Sequence, residues 1–505
     1  MKQFLKTIVF IALAIPCAQA QTAYDAFKYS VEAFNGSARY TAMAGSFGAL
    51  GGDFSAVVDN PAGAAVFQFP EVGISMAHEA NNNGASFNGN FNSIEFFNTM
   101  LHQFGLVIPL KDNNTESDWP KIAFAFNYKR QNNFDGKYRV LGTSTKGIDQ
   151  YFLYYANGIE LQDLILGNDE TVDGVYRYLG NNVSYGAQQA FLGFQGYIVN
   201  AATNTPGETA YVSNAQYTRV QQDYFVKTAG KNNKYAFTLS GAYKNKLYLG
   251  LSVNSHKIEF SQTDDLVETG FSNASNVERI QFNNELNTYG NGFSIQVGGI
   301  AVLSNALRLG LSYHSPTWLN LYDESRQFLI NDHYDQDHFI EETVAPDIIN
   351  TYPEYYLRIP GKVTGSVAYV FGTKGLLNFD YAQRHYGNAQ FDEEDASNYL
   401  SSLNTAIQQR YATSTRMALG GEYRFQKISV RGGFFSETNR IKNTTSGMTG
   451  YSFGLGYAQG GNSWGLSLVQ QEIDFAQPLY SEGLTNTVNY NRSPFQITLS
   501  YNFKL

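Results

Sequence analysis

Cysteine is nearly absent from this 505-residue chain, since the one thiol belongs to Cys17. Residues 1–20 have the form of a secretory signal, with Lys2 and Lys6 before a short apolar run and small residues at the cleavage site after Ala20. Cleavage there is expected to remove the only thiol. The mature chain could then form neither a disulfide framework nor a cysteine-ligated metal site.

Long hydrophobic runs are also missing. No stretch of 18 or more apolar residues follows the signal, which excludes a helical membrane protein. The formal net charge of −9 provides no basic surface for nucleic acid. The sequence has no G-x-S-x-G, H-E-x-x-H or phosphate-cradling motif, and the histidine pair His333 and His338 is interpreted as part of a solvated loop. We therefore expect no enzyme activity, no cofactor and no metal.

Aromatic residues are abundant, with 37 Phe and 36 Tyr. In the final segment, residues 495–505, apolar side chains occupy every odd position and polar ones every even position. Such alternation is typical of a strand with one apolar and one polar face. A single case would suit a large soluble all-β protein equally well, but the pattern recurs along the whole chain, for example at 122–128, 247–253, 417–425 and 464–468. This repetition predicts an all-β, transmembrane antiparallel β-barrel.

The alternating segments predict about 14 strands, and the connectors between them are alternately long and short. The predicted strands are 72–79, 97–109, 119–131, 233–244, 247–260, 279–303, 306–322, 354–371, 375–386, 410–425, 427–437, 449–459, 463–474 and 493–505. Barrels of the Gram-negative outer membrane have short periplasmic turns, long extracellular loops and an even number of strands. We therefore expect an outer-membrane location with both termini periplasmic and a large extracellular loop at about 132–232.

The region from 21 to 66 does not follow the strand pattern, because it is rich in small residues. It predicts compact short helices, with Asp53 or Ser55 as the cap of a helix through Val58 and Pro61 as its stop. A barrel lumen would be the container for such a segment. The domain prediction is thus a signal at 1–20, a hatch at 21–66 and a barrel at 67–505.

An ordered set of motifs in this hatch region resembles the FadL-type outer-membrane transporters. The matching residues are Gly36-Ser37-Ala38-Arg39, Ala42-Met43, Ala49-Leu50-Gly51, Asp53, Ser55-Ala56 and Asn60-Pro61-Ala62-Gly63. The sequence departs from the family pattern at Ala44, where glycine is usual, at Ala64, where leucine is common, and at its last residues, Phe503-Lys504-Leu505.

The resemblance implies passive uptake of hydrophobic small molecules, either long-chain fatty acids or aromatic hydrocarbons. Such a molecule would be captured by extracellular loops, enter the plugged barrel and leave sideways or past the hatch. The implied hatch residues are Asn60, Pro61, Ala62, Gly63, Arg39 and Asp53, of which Arg39 and Asp53 are interpreted as pairing with inward-facing charges of the barrel. In the family the lateral gap accompanies a kink in the third strand, yet residues 121–130 contain no Gly or Pro. Membrane lipid and an apolar ligand are the expected partners of a monomer.

The long loop holds apolar residues at roughly helical spacing. The capture candidates are Tyr151, Phe152, Tyr155, Leu161, Leu164, Phe191 and Phe194. They would either line a capture groove or pack on one another and cap the barrel. A second function also stays open, because some barrels similar to this family bind a secreted protein at their extracellular loops without transporting anything.

Overall fold

The computed structural model describes residues 21–112, 114, 117–392, 398–444 and 447–505. The signal expected at residues 1–20 lies outside these ranges. Within them, no helix is both long enough and apolar enough to cross a membrane.

Fourteen antiparallel strands, named β1 to β14, form the barrel wall. They are β1 Glu71–Phe87, β2 Asn90–Lys111, β3 Lys121–Asn133, β4 Val220–Tyr243, β5 Leu247–Thr269, β6 Val277–Val302, β7 Leu307–His314 and Thr317–Asp335, β8 Tyr355–Ile359 and Lys362–Val370, β9 Gly375–His385, β10 Thr413–Phe425, β11 Ile428–Glu437, β12 Met448–Gln459, β13 Asn462–Pro478 and β14 Thr487–Lys504. Each strand pairs with the next, and β14 pairs with β1, so the sheet closes on itself. The predicted barrel of about 14 strands is confirmed.

The alternation in the sequence becomes the two faces of the wall. On β5, Leu249, Leu251 and Val253 point outward and are exposed, whereas Ser252 and Asn254 between them point inward and are buried. Because side chains of a strand point alternately to opposite faces, the same rule gives an apolar belt outside and a polar lining inside around the barrel.

Several strands are longer than the sequence predicts. Strand β4 begins at Val220 instead of 233, and β1 continues to Phe87 instead of ending near 79. The loop predicted at 132–232 is accordingly shorter, since β3 continues to Asn133 and β4 occupies its last part. Beyond the apolar belt both faces of a strand can be polar, so the alternation that reveals a strand is lost there.

Shorter elements surround the barrel ends and fill the lumen. The helices are α1 Ala23–Ser30, α2 Ala38–Ala42, α3 Phe54–Asp59, α4 Asp149–Ala156, α5 Leu161–Leu164, α6 Val172–Asn182, α7 Tyr185–Gln195 and α8 Asn398–Arg410, with 3₁₀ turns at Pro61–Val66 and Tyr386–Asn388. Short strands lie at Gly136–Ser144, Val199–Ala201, Tyr211–Ser213, His338–Val344, Asn350–Thr351 and Gln390–Phe391. Helices α4 to α7 form a cap over the long-loop end, and α1 to α3 lie inside the barrel with the 3₁₀ turn at 61–66.

The two ends of the described chain lie at different heights. Leu505 donates its backbone N–H to Pro70 at the short-turn end. Gln21 lies inside the barrel, where its side chain donates to Asp323 on β7 and its carbonyl accepts from the Tyr399 hydroxyl. Asp323 lies well above the hatch contacts on β7, so the described chain begins inside the barrel, and the periplasmic orientation expected for both termini stays a prediction.

Candidate functional site: a hatch inside the barrel and a cavity above it

Glycines on the inner wall make room for the hatch. A Cβ on Gly298 of β6 would lie 2.0 Å from Asn60 Oδ1, and one on Gly250 of β5 would lie 2.3 Å from the carbonyl carbon of Pro61. A Cβ on Gly310 of β7 would lie 2.2 Å from the Gly48 carbonyl oxygen. The hatch therefore lies directly against the strands, with its backbone at Gly250 and Gly310 and with the Asn60 side chain at Gly298.

The Asn60-Pro61-Ala62-Gly63 motif holds two parts of the hatch to the wall. Asn60 Oδ1 accepts from the Ala62 N–H at 3.2 Å and so caps the 3₁₀ turn, a role that suits asparagine before proline. Asn60 Nδ2 donates to the carbonyls of Gly48 (2.7 Å) and of Gly299 on β6 (3.2 Å). One amide thus joins the turn, the preceding loop and the barrel.

Arg39 forms an ion pair with the barrel, as the sequence analysis expects. Its Nε lies 2.7 Å from Glu422 Oε2 on β10, and the same carboxylate also binds Arg424 and Arg431. The side chain of Glu422 is 1% exposed, so it depends on these three guanidinium groups.

Asp53 has a different role from the one expected. Its Oδ1 accepts from the backbone N–H groups of Ser55 and Ala56, and its Oδ2 accepts from the Ser37 hydroxyl at 2.7 Å. Asp53 therefore caps α3, as the capping prediction states, while the described chain contains no ion pair between it and a barrel residue. The barrel carboxylate that receives the hatch backbone is Asp380, which accepts from the N–H of Phe47 at 3.0 Å.

Glu32 fixes the chain between α1 and α2. Its carboxylate lies 2.8 Å from Lys362 Nζ and also binds Arg384. Burial opposes ionisation of Glu32, but Arg384 and Lys362 outweigh it and hold the pKa of this carboxyl well below its usual range. Arg384 Nη1 also donates to the Ser30 carbonyl at 2.6 Å, so the segment on both sides of Val31 is tied to the wall.

A cavity of about 210 Å³ lies inside the barrel, above residues 31–35 of the hatch. About half of its lining is apolar, and the aromatic and aliphatic side chains there include Tyr24, Phe27, Val31, Phe134, Tyr138, Tyr224, Phe260, Ile473 and Phe475. The rest is polar or charged, and includes Lys28, Glu32, Glu79, Asp135, Arg440, Asp474 and Arg492. Residues 31–35 form its floor and separate it from a smaller cavity of about 90 Å³ that is lined by Asp59, Lys129, Asp380, Arg416 and other polar residues. The lumen thus has an aromatic and aliphatic part above the hatch and is mainly polar and charged beside it.

The cations at the upper cavity already have acidic partners. Lys28 lies 2.8 Å from Asp25 and covers the Phe260 ring at 3.7 Å. Arg440 lies 2.6 Å from Glu437. Arg492, the third cation of the lining, lies 3.7 Å from Glu79. The apolar part of the cavity is therefore suited to an apolar molecule, because the three cations are paired with carboxylates of the protein.

The capture candidates lie mostly in the core of the cap. Tyr151, Phe152, Leu161, Leu164 and Phe191 are buried, while Tyr155 and Phe194 are partly buried and pack against that core. Phe152, for example, contacts Phe282 of β6 at a ring distance of 5.2 Å. Of the two expected arrangements, the structure has the one in which the helices pack on each other and cap the barrel, and none of the seven lines the upper cavity within the described chain.

The residues of the cavity were missed because they are far apart in sequence. Tyr24 and Phe27 come from α1, Phe134 follows β3, and Phe475 lies on β13. Tyr24 and Phe27 could have been found from the sequence, since aromatic residues at i and i+3 share one face of a helix. The others lie beyond the apolar belt, where a single inward aromatic residue has no pattern to reveal it.

The third strand contains an irregularity in its pairing, although it has no Gly or Pro. The pairing of β3 with β4 shifts by one residue between Arg130 and Asn132, which leaves Gln131 as a bulge. The Gln131 carbonyl accepts from the Ala33 N–H at 3.0 Å. The hatch therefore covers this irregularity with a backbone hydrogen bond.

A closed wall of fourteen antiparallel strands with an N-terminal segment folded inside it defines a plugged β-barrel. Its fold is similar to that of a FadL homologue from Pseudomonas aeruginosa, with a TM-score of 0.55 and 12% identity over 94% of this chain and 99% of the other. It is also similar to the toluene transporter TodX of Pseudomonas putida, with a TM-score of 0.50 and 11% identity over 94% of this chain and 100% of the other. No family model and no curated protein matches the sequence. The chain thus has the FadL-type barrel fold that the hatch motifs predict.

Proposed function

We propose that the protein is an outer-membrane channel for the passive uptake of hydrophobic small molecules. The observation that carries this proposal is the cavity above the hatch, whose aromatic and aliphatic part offers a binding site for an apolar ligand before the hatch moves. The apolar belt on the outer wall supports a position in the outer membrane, with the short-turn end and Leu505 toward the periplasm. The substrate would be a long-chain fatty acid or an aromatic hydrocarbon, and the channel would act as a monomer.

Uptake of such a molecule needs no energy source. The free energy of an apolar compound falls when it moves from water into the cavity, and falls again when it moves from the cavity into a membrane or carrier. The polysaccharide-rich outer leaflet is the barrier that the protein bypasses. The ion pairs beside the hatch make the lower lumen unfavourable for an apolar molecule, so the hatch must shift or the molecule must leave through the wall.

A cavity-filling variant tests this function. Ile473→Trp adds a large side chain to the upper cavity, whereas Val367→Trp adds the same side chain to the lipid-facing belt. Native mass spectrometry of the detergent-solubilised protein would measure retention of two probes, oleate and pyrene. We expect wild type and Val367→Trp to retain at least one probe and Ile473→Trp to lose it. Equal retention by both variants would contradict the proposed site.

The alternative function is a barrel that docks a secreted protein at its extracellular surface without transport. The observation in its favour is the compact cap, in which the predicted capture residues are buried and the long-loop end forms a continuous folded surface. This function requires no apolar ligand. If neither oleate nor pyrene binds the wild type, and a secreted protein copurifies only when α4 to α7 are intact, the docking function replaces the channel.

A further inference from the structure

A buried lysine on the inner wall has no carboxylate partner within the described chain. Lys234 of β4 is 3% exposed, and its Nζ donates to Gln296 Oε1 on β6 at 3.1 Å. The neighbouring cations differ, since Lys129 is paired with Asp59 and Lys362 with Glu32. An ammonium group has three N–H donors and is costly to bury without a negative partner. Lys234 therefore leaves both donors and charge uncompensated.

A small cavity of about 20 Å³ lies next to this lysine. Residues 30–32 of the hatch line one side of it, and Lys234, His256 and Arg384 of the wall line the other. A water molecule needs about 10–15 Å³ of such space, so the cavity holds one water molecule or one small ion. A carboxylate on a hydrocarbon chain is too large for it.

The lining contains further polar atoms without a partner in the described chain. Arg384 is 8% exposed, and its Nε has no hydrogen-bond partner, although its Nη atoms bind the Ser30 carbonyl and Glu32. His256 is 4% exposed, and its Nδ1 has none either, while its Nε2 lies 3.0 Å from Ser294 Oγ. When Ser294 donates to Nε2, the proton of His256 lies on Nδ1 and is a further donor toward the cavity.

The charges around the cavity favour an anion over a water molecule. The charged side chains that line or adjoin it are the cations Lys234, Lys362 and Arg384 and the carboxylate of Glu32. Three cations and one carboxylate leave an excess of positive charge. A neutral water molecule can satisfy hydrogen bonds there, but only an anion also compensates the charge.

The cations of this site are connected to two parts of the hatch. Because Gln296 Oε1 accepts from Lys234, its Nε2 is free to donate to the carbonyls of Val58 and Asp59, both at 2.8 Å, at the end of α3. On the other side of the cavity, Arg384 Nη1 donates to the Ser30 carbonyl at the end of α1. A ligand that fixes both cations would therefore stabilise both contacts.

We propose that Lys234 and Arg384 bind a small inorganic anion, chloride, in the cavity behind residues 30–32, and that this anion stabilises the seated hatch. Chloride is close to a water molecule in size, as the cavity requires. Bromide would occupy the same site. The proposal does not depend on the proposed channel function, because the anion is part of the closed barrel and not a transported molecule.

Hydrogen exchange of the hatch at increasing chloride tests the site. The purified barrel would be kept in detergent at constant pH and ionic strength by replacing sodium gluconate, whose anion is too large for the cavity, with sodium chloride. Lys234→Met removes the ammonium group and keeps a side chain of similar length. The matched control is Lys231→Met on the same strand, where Lys231 Nζ lies 3.1 Å from Glu259 on the surface. The response to chloride is compared within each variant, so a shifted baseline does not affect the test.

We expect chloride to slow the exchange of peptides from residues 21–35 and 53–66 in wild type, by about tenfold at ten times its dissociation constant. Lys231→Met should respond in the same way, and Lys234→Met should not respond. Hatch exchange that is independent of chloride in wild type would overturn the proposal, as would a full response in Lys234→Met.

Crystals grown in sodium bromide give a second readout that locates the ion. The anomalous scattering of bromide should produce a peak between Lys234 and Arg384 in wild type and none in Lys234→Met. A wild-type cavity without an anomalous peak would mean that a water molecule fills it, hydrogen-bonded to the unpartnered Asn232 Oδ1, and the anion site would be refuted.

Discussion

Removal of the Glu422 carboxylate should loosen the hatch. Glu422 receives Arg39 Nε at 2.7 Å and Arg431 Nε at 2.7 Å, and its side chain is 1% exposed. Breaking a buried ion pair by removing one partner costs about 3–5 kcal/mol. Arg39 and Arg424 reach water in part, which reduces the penalty, so we expect Glu422→Gln to weaken the seating of the hatch by about 3 kcal/mol.

Hydrogen exchange measured by mass spectrometry would detect this loss locally. A change of about 3 kcal/mol corresponds to roughly 100-fold faster exchange if hatch amides exchange through unseating. The effect should appear in peptides from residues 36–66 and not in those from β4. The control is Glu259→Gln, which removes a carboxylate that binds Lys231 and Lys257 on the surface and should cost less than about 1 kcal/mol. Equal exchange in the two variants would refute the reasoning.

Three further predictions follow from single contacts. The pKa of Glu32 lies below its ordinary value, so its contribution to hatch stability should be complete above about pH 5 and lost as the pH falls through the lowered pKa. Hydrogen exchange of the hatch, measured from pH 6 to 3, should therefore speed up in wild type but not in Glu32→Gln. Gly298→Val should push Asn60 out of place and admit small polar solutes such as nitrocefin, whereas Gly365→Val, which has open space, should not. Phe152→Ala should destabilise the cap by about 3–5 kcal/mol in urea unfolding without opening the hatch.

The strands could be predicted wherever the wall meets lipid. Strand β5 begins at Leu247 as predicted, because its apolar and polar residues alternate from the first position. The sequence predicts this strand only as far as 260, and its last part through Thr269 falls in a predicted loop, since outward residues there such as Thr263 and Asp265 are as polar as their inward neighbours. Apolar and polar residues alternate only where the outer face of a strand contacts lipid. Above that height the strand keeps its backbone hydrogen bonds, but its sequence no longer shows the alternation.

The site was predictable only in part, for a related reason. The hatch motif is local, so capping by Asp53 and Asn60 could be read from adjacent residues. The upper cavity depends on contacts between positions hundreds of residues apart, such as Phe27 with Tyr411. The aromatic residues of the long loop do indicate helices, but periodicity cannot distinguish a groove from a packed core, and Phe152 and Phe191 belong to the core.

The way in which the hatch is seated decides which part of it can move. Phe54 on α3 is wedged against the inner wall, because a Cβ on Gly73 or Gly105 would lie within 2.4 Å of its ring. Withdrawing α3 would expose this ring and leave two strands unpacked, with a cost in buried apolar surface. The segment that ends at Asn35 is held by the ion pairs of Glu32, by the Ala33 N–H that donates to the Gln131 carbonyl, and by Phe34, whose ring lies 4.5 Å from that of Phe435. The ion pairs of Glu32 depend on pH, whereas the contacts of Phe54 do not, so acid should release the segment before Gly36 first, while α3 keeps the lower lumen closed.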